Sequence, residues 1–283
     1  MTNTFVSAEK LQDKILAREP INIVDCRYYL TDPTQGLMEY LEGHLPKAVY
    51  ADLNEDLSSP ITSNSGRHPL PDLPTFKYWL ANNGLHPKQE VYVYDNQGGG
   101  YAARLWFMLN QLGYKVWVLE GGITRFAALG YSLSSGREVH SSVDERELEK
   151  LPKDWNDGDF EMVDVQQIEN TMQVPDVILV DSRAPERYAG LTEPYDTVAG
   201  RIPTAVNLYW KSNLDENQNL LPQEDLEKNF GFGDKKRIFY CGSGVSACFN
   251  LLVNEHIGNK KGAVYIGSFS EWIKLKPNNI EKD

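Results

Sequence analysis

Apolar residues along the chain gather into short runs of strand character separated by stretches of helical spacing. Ser7 to Ala17 carries Leu11, Ile15 and Leu16 on one helical face behind Ser7 in the N-cap position, which predicts a short amphipathic helix. Ile21 to Arg27 reads as a buried strand ending in Asp25 and Arg27, and Gly43 to Tyr50 as a loop leading into a second short strand. Val91 to Asp95 is a third strand. Asn96 to Gly100 then forms a glycine-rich turn and Tyr101 to Gln111 an apolar helix, followed by a strand at Val116 to Leu119 closed by Gly121 and Gly122.

The second half repeats this order. Val177 to Arg183 mirrors the strand ending in Asp25 and Arg27, and Gly200 to Asn207 mirrors Gly43 to Tyr50. Arg237 to Cys241 mirrors Val91 to Asp95, and Ala263 to Gly267 mirrors Trp117 to Gly121. Four matched segments in one order indicate duplication. Strands alternating with helices at this spacing predict an α/β unit with a mostly parallel sheet flanked by helices, occurring twice. Between the halves, residues 132–159 are polar and charged without an apolar period, and read as a linker with room for a short helix at Glu145 to Leu151. The expected division is therefore a first domain at 1–131, the linker at 132–159, and a second domain at 160–283.

Composition adds limits. A chain of 283 residues suffices for two domains with their own cores, and its apolar, aromatic and charged fractions are ordinary for a globular protein. A net charge of -12 argues against a nucleic-acid or anionic-membrane partner, though a local site for a small anion can be positive on an acidic protein. No run is long enough to cross a bilayer, and no apolar stretch follows a basic start. With its polar opening, Met1 to Lys10, the protein is expected in the cytoplasm. The three cysteines, Cys26, Cys241 and Cys248, suit that reducing compartment, and their spacing matches no zinc or disulfide framework.

The chemistry concentrates at Cys241. Strand-like Arg237 to Tyr240 delivers it to a turn containing Gly242 and Gly244, and the apolar run Ala247 to Val253 continues as a helix. Such a turn directs backbone N–H groups and the positive end of a helix at one point, which favours a thiolate. Amides from Gly242 through Ser243, Val245, Ser246 and Ala247 can close round an anionic sulfur as a nest, with no metal or cofactor required. A buried structural cysteine beside a tight turn is the alternative. The matching position in the first half is Asp95, a carboxylate that cannot carry a transferable sulfur. The first repeat is therefore expected to be silent and to supply one wall of a cleft between the halves.

These features resemble the rhodanese superfamily, and within it the two-domain sulfurtransferases, over nearly the whole chain. The marks are Asp181-Ser-Arg183 with Arg187-Tyr188, the Gly43-His-Leu-Pro and Gly200-Arg-Ile-Pro segments, and Cys241-Gly-Ser-Gly-Val-Ser-Ala247. That last loop is similar to the Cys-Gly-Ser-Gly-Val-Thr-Ala loop of mercaptopyruvate sulfurtransferases, with Ser246 keeping the hydroxyl. The resemblance implies a two-step transfer: the Cys241 thiolate takes the outer sulfur of a donor as a persulfide, then yields it to cyanide or to a thiol such as glutathione or thioredoxin. Phosphate-ester hydrolysis, known on a related fold, needs an arginine where Ala247 stands. A non-catalytic persulfide carrier or redox sensor remains a further alternative.

The absence of cations within the Gly242 to Ala247 loop favours 3-mercaptopyruvate over dianionic thiosulfate. By the same resemblance Arg187 holds the donor carboxylate, a role suited to a planar guanidinium. The second arginine that usually follows Glu-Pro is missing after Glu193-Pro194, and Arg201 is the candidate replacement. Ser243 is expected in a relay with Cys241 and Asp52 that manages the donor's thiol proton, and His68 nearby in the cleft. Cys248 reads as core, with a resolving thiol as its other reading.

Overall fold

The computed structural model describes residues 4–259 and 262–283. The first half builds a sheet from β1 (Phe5–Val6), β2 (Ile21–Asp25), β3 (Ala48–Tyr50), β4 (Glu90–Tyr94) and β5 (Val116–Leu119), in the order β1-β5-β4-β2-β3. The second uses β6 (Glu161–Met162), β7 (Val177–Asp181), β8 (Val206–Asn207), β9 (Lys236–Tyr240) and β10 (Gly262–Val264), in the order β6-β10-β9-β7-β8. All ladders are parallel. The duplication extends to register: Asp25 pairs with Tyr94 as Asp181 pairs with Tyr240.

Helices cover both faces of each sheet, as parallel sheets require. They are α1 (Ala8–Leu16), α2 (Gln35–Glu42), α3 (Leu73–Asn82), α4 (Ala102–Gln111) and α5 (Gly122–Ala128) in the first half. α6 (Glu145–Leu148) follows, then α7 (Val165–Thr171), α8 (Pro185–Tyr188), α9 (Gln223–Asn229), α10 (Ser246–His256) and α11 (Ser268–Leu275).

Strand alternation explains the layering. Ile23 and Tyr92 pack outward with Leu11 and Phe126, while Ile238 and Leu179 pack outward with Phe269 and Trp272. Their neighbours Val24, Val93, Val180 and Phe239 point inward, and the two inner faces merge into one continuous core. At its centre α4 and α10 lie against each other, both buried along most of their length. Helices so largely apolar belong in such a position, and the few polar side chains they bury, Arg104, Gln111, Asn250 and Asn254, are hydrogen-bonded there.

Each Asp-x-Arg segment has an architectural role. Arg27 Nη2 lies 2.6 Å from Asp25 Oδ2 and 2.7 Å from the Gly43 carbonyl; Arg183 Nη2 repeats this with Asp181 at 2.6 Å and Gly200 at 2.7 Å. A buried pair with further hydrogen bonds can offset its desolvation. Here it ties the Gly43 and Gly200 loops to the ends of their strands.

Some expectations are corrected. Leu16 does not share the buried face of α1 but is 69 % exposed. Phe5 and Val6, within the supposedly polar opening, form an edge strand; Met1 to Asn3 lie outside the described residues. The stretch 132–159 is packed rather than free. Leu148 is buried, Trp155 Nε1 donates to the Pro71 carbonyl at 2.9 Å, and Gln111 Nε2 donates to the Trp155 carbonyl at 2.8 Å. The helix in this stretch, α6, starts at the N-cap Asp144, whose carboxylate accepts from Arg146 N, and lies within Glu145 to Leu151.

Candidate active site

Cys241 follows the last residue of β9, the central strand of its sheet, at the carboxyl edge where α/β sheets bind ligands. The loop turns at once because Gly244 adopts φ +75°, and a Cβ there would run into the Ile266 carbonyl. Ser268 Oγ accepts from Cys241 N at 3.1 Å, while the Cys241 and Gly242 carbonyls accept from Phe269 N at 3.0 Å and Ser270 N at 2.9 Å. The start of α11 thus clamps the loop from behind.

The sulfur sits at the bottom of a cleft of about 420 Å³ lined by both halves, with Arg67, His68 and Tyr101 on one wall and Arg187, Tyr195 and Trp210 on the other. Cys241 is only 2 % exposed, so it is reached through the cleft. Gly244 N donates to its Sγ at 3.2 Å. Burial pushes the thiol up, but the Ser246 hydroxyl and the amides of Ser243, Ala247 and Val245 outweigh it, leaving the Cys241 thiol below the ordinary range. Gly242, Ser243, Val245 and Ser246 line the cleft; Gly244 and Ala247 contribute from within the loop.

The first repeat fills the same nest with its own anion. Asp95 Oδ1 accepts from Gln97 N and Gly99 N, each at 2.8 Å, and its Oδ2 from Tyr101 N at 2.8 Å and Ala102 N at 3.0 Å. A carboxylate occupies the amides that, one domain later, face a sulfur.

Of the two groups expected near Ser243, His68 meets it and Asp52 does not. Its Oγ lies 2.7 Å from His68 Nδ1, and both side chains are buried. Burial and the cations of Arg104 and Arg67 push the His68 imidazole down to about 3, so the ring is neutral at physiological pH. Asp52, expected in this relay, is turned away: its Oδ1 accepts from Asn54 N at 2.8 Å and Glu55 N at 3.2 Å, which makes it the cap of its own turn.

Arg187 reaches the cleft already engaged. Its Nε and Nη2 pair with Glu193 at 2.8–3.1 Å, and Nη2 lies 3.5 Å from Asp196. A second guanidinium beside it comes from the first domain: Arg67 Nε binds Asp196 Oδ1 at 2.9 Å. Both guanidinium groups border Gly242, where a Cβ would lie 2.7 Å from Arg67 Nη2 and 3.1 Å from Arg187 Nη2. Each keeps an Nη1 with no hydrogen-bond partner among the described residues. Both approach the Tyr195 ring, at 5.6 and 5.0 Å.

Arg201 is not the replacement. It pairs with Asp283 at 2.7 Å and Glu281 at 3.6 Å and lies over the Tyr188 ring, away from the cleft. Nothing in the sequence marked Arg67 except that it precedes His68. Cys248 is core: burial pushes its thiol up to about 12 and Sγ donates to the Gly244 carbonyl at 3.3 Å, so it stays protonated and is unsuited to resolve a persulfide.

The duplicated chain that carries this cysteine resembles known proteins. The rhodanese-like domain family matches residues 7–129 and again 164–275. The chain belongs to the rhodanese family. It is 36 % identical over 277 residues to a Pseudomonas aeruginosa protein named probable 3-mercaptopyruvate sulfurtransferase, covering 95 % of this chain and 94 % of that one. It is 31 % identical over 286 residues to the mitochondrial thiosulfate/3-mercaptopyruvate sulfurtransferase 1 of Arabidopsis thaliana, covering 93 % and 75 %. The solved 3-mercaptopyruvate sulfurtransferase from Leishmania major superposes with a TM-score of 0.82 at 29 % identity, over 99 % of this chain and 76 % of that one. The sulfurtransferase reading of the Cys241 loop agrees with these rhodanese relatives. Among the described residues, no helix is long and apolar enough to cross a membrane.

Proposed function

We propose that this chain is a cytoplasmic sulfurtransferase that takes sulfur from 3-mercaptopyruvate onto Cys241 and yields it to a small or protein thiol, or to cyanide. The Cys241 thiolate attacks the donor sulfur, an S–S bond forms, and the donor's C–S bond breaks with its electron pair passing to carbon as the pyruvate enolate. The proton once on the donor thiol ends on that carbon, so the products are the Cys241 persulfide anion and pyruvate. The acceptor thiolate then attacks the outer sulfur and releases Cys241 as thiolate. The loop amides hold each anionic state of the sulfur.

The observation that carries the donor choice is the 2.7 Å contact between Ser243 and His68 beside Cys241. Mercaptopyruvate must lose a proton from sulfur and gain one at carbon. Thiosulfate transfers its outer sulfur and leaves as sulfite with no proton moved. A neutral hydroxyl–imidazole pair is suited to relay a proton and adds no charge. Arg67 and Arg187 supply two cations against Glu193 and Asp196, so this cluster is neutral overall and fits a single carboxylate better than a dianion.

Paired turnover with both donors tests this reading. Ser243→Ala is expected to lower kcat/KM for mercaptopyruvate by about 100-fold, in the range of general acid–base assistance, and that for thiosulfate by far less. A thiosulfate kcat/KM well above that for mercaptopyruvate would overturn the donor, and sulfur transfer retained in Cys241→Ser would overturn the carrier.

A further inference from the structure

The first repeat is chemically silent at Asp95, yet one of its side chains reaches beneath the Cys241 loop. Arg104, on α4, is fully buried. Its Nη1 donates to the Gly244 carbonyl at 3.1 Å, and its Nη2 to the His68 carbonyl at 3.0 Å and the Leu57 carbonyl at 3.3 Å; its Nε has no partner. One guanidinium therefore ties the catalytic loop of the second domain to the segment of the first that carries His68.

No carboxylate pairs with Arg104 among the described residues, in contrast to Arg27 and Arg183, which each hold a buried aspartate. A guanidinium does not give up its proton, and a buried cation without a counter-charge is costly. The acidic groups that act on it are the thiol of Cys248, which also hydrogen-bonds it, and that of Cys241. Cys248 stays protonated, so Cys241 is the neighbour able to carry the balancing charge. The geometry also gives Arg104 leverage on the nest. The Gly244 carbonyl it grips belongs to the same peptide unit as the Val245 N–H, one of the amides that favour the Cys241 thiolate. A hydrogen bond at one end of a peptide unit strengthens the one at its other end.

We propose that Arg104 is a positioning residue for Cys241: it fixes the Gly244–Val245 peptide against the sulfur and supplies the counter-charge of the thiolate and of the persulfide that follows. This assigns to the silent domain part of the electrostatics of the reaction. The other charged or titratable groups around Cys241 are Cys248 behind the loop, His68, held neutral, the Arg67 and Arg187 guanidinium groups with their carboxylates, and Arg183, Glu186, Lys211, Tyr101, Tyr195 and Tyr209 along the cleft.

The inference rests on Cys241 reacting as a thiolate, and its test needs no sulfur donor. Alkylation of Cys241 by iodoacetamide is followed across pH by mass spectrometry of the intact chain. Arg104→Met is expected to raise the midpoint by about one pH unit and to slow alkylation about tenfold at neutral pH. Arg104→Lys, which keeps the charge, is expected to recover most of that rate. An unchanged midpoint in folded Arg104→Met overturns the inference and leaves the donor assignment standing. Should Arg104→Met not fold, the unsubstituted protein still decides. The Arg104 Nε–H resonance is expected to follow the Cys241 titration and to stay fixed over the same range in Cys241→Ser; a resonance blind to that titration overturns the inference.

Discussion

At the scale of single residues, the end of the cleft beside Gly242 is built from engaged cations. Glu193 and Asp196 hold Arg187 and Arg67 in place, so a carboxylate entering beside Gly242 finds oriented N–H groups and little side-chain entropy left to lose. If these groups bind the donor carboxylate, their removal weakens binding more than chemistry. Arg67→Ala is expected to raise KM for mercaptopyruvate about tenfold with kcat lowered no more than about threefold, consistent with loss of one charge-assisted hydrogen bond. Steady-state kinetics at fixed acceptor concentration checks this. An unchanged KM would remove Arg67 from the donor site, whatever its place beside Arg187.

At the scale of elements, the two strand-to-helix loops are one backbone design with two fillings. In the first, the Asp95 carboxylate accepts from four amides; in the second, the sulfur of Cys241 faces the Gly244 amide, the Ser246 hydroxyl and neighbouring loop amides in the same kind of nest. On the proposed function, that difference separates a structural turn from a reactive one. Replacing Asp95 by Ala leaves those amides without their anion, and unfolding in urea is expected to show a loss of about 3 kcal/mol. A loss within the few tenths typical of surface changes would mean that water restores the nest.

At the scale of the whole molecule, the halves act as one body because their inner faces share a core. Phe249 on α10 contacts Phe5 of the first sheet, its ring centroid 6.3 Å from that of Phe5, and Trp210 at 5.2 Å. Phe249→Ala is expected to lower stability by about 4 kcal/mol, the cost of a large buried cavity, while unfolding by fluorescence and by circular dichroism stays a single coincident transition. Two separated transitions would show that the halves fold independently. A shared core also fixes the cleft, since His68, Arg67 and Arg104 come from one half and Cys241 from the other.

Much of this was written along the chain. Short β-branched and aromatic runs before turns, such as Val91 to Tyr94 and Arg237 to Tyr240, read as buried strands, and their repetition with Asp25 and Asp181 at matching positions pointed to two parallel α/β sheets. The glycines after Cys241 and the carboxylate of Asp95 likewise showed which loop offers a cysteine to a nest of amides and which fills it with its own anion, because backbone conformation and side-chain chemistry are local properties. The two-residue edge strands Phe5–Val6 and Glu161–Met162 were not legible, since so short a run gains its structure from a partner far away in sequence. The same holds for the wall of the site. Asp52 and Arg201 stood at promising positions, but a neighbouring turn and the C-terminal carboxylates captured them. His68, Arg67 and Arg104 instead meet the Cys241 loop across the interface. Which long side chain reaches a given backbone group there depends on how two independently patterned sheets dock, and that only the tertiary structure decided.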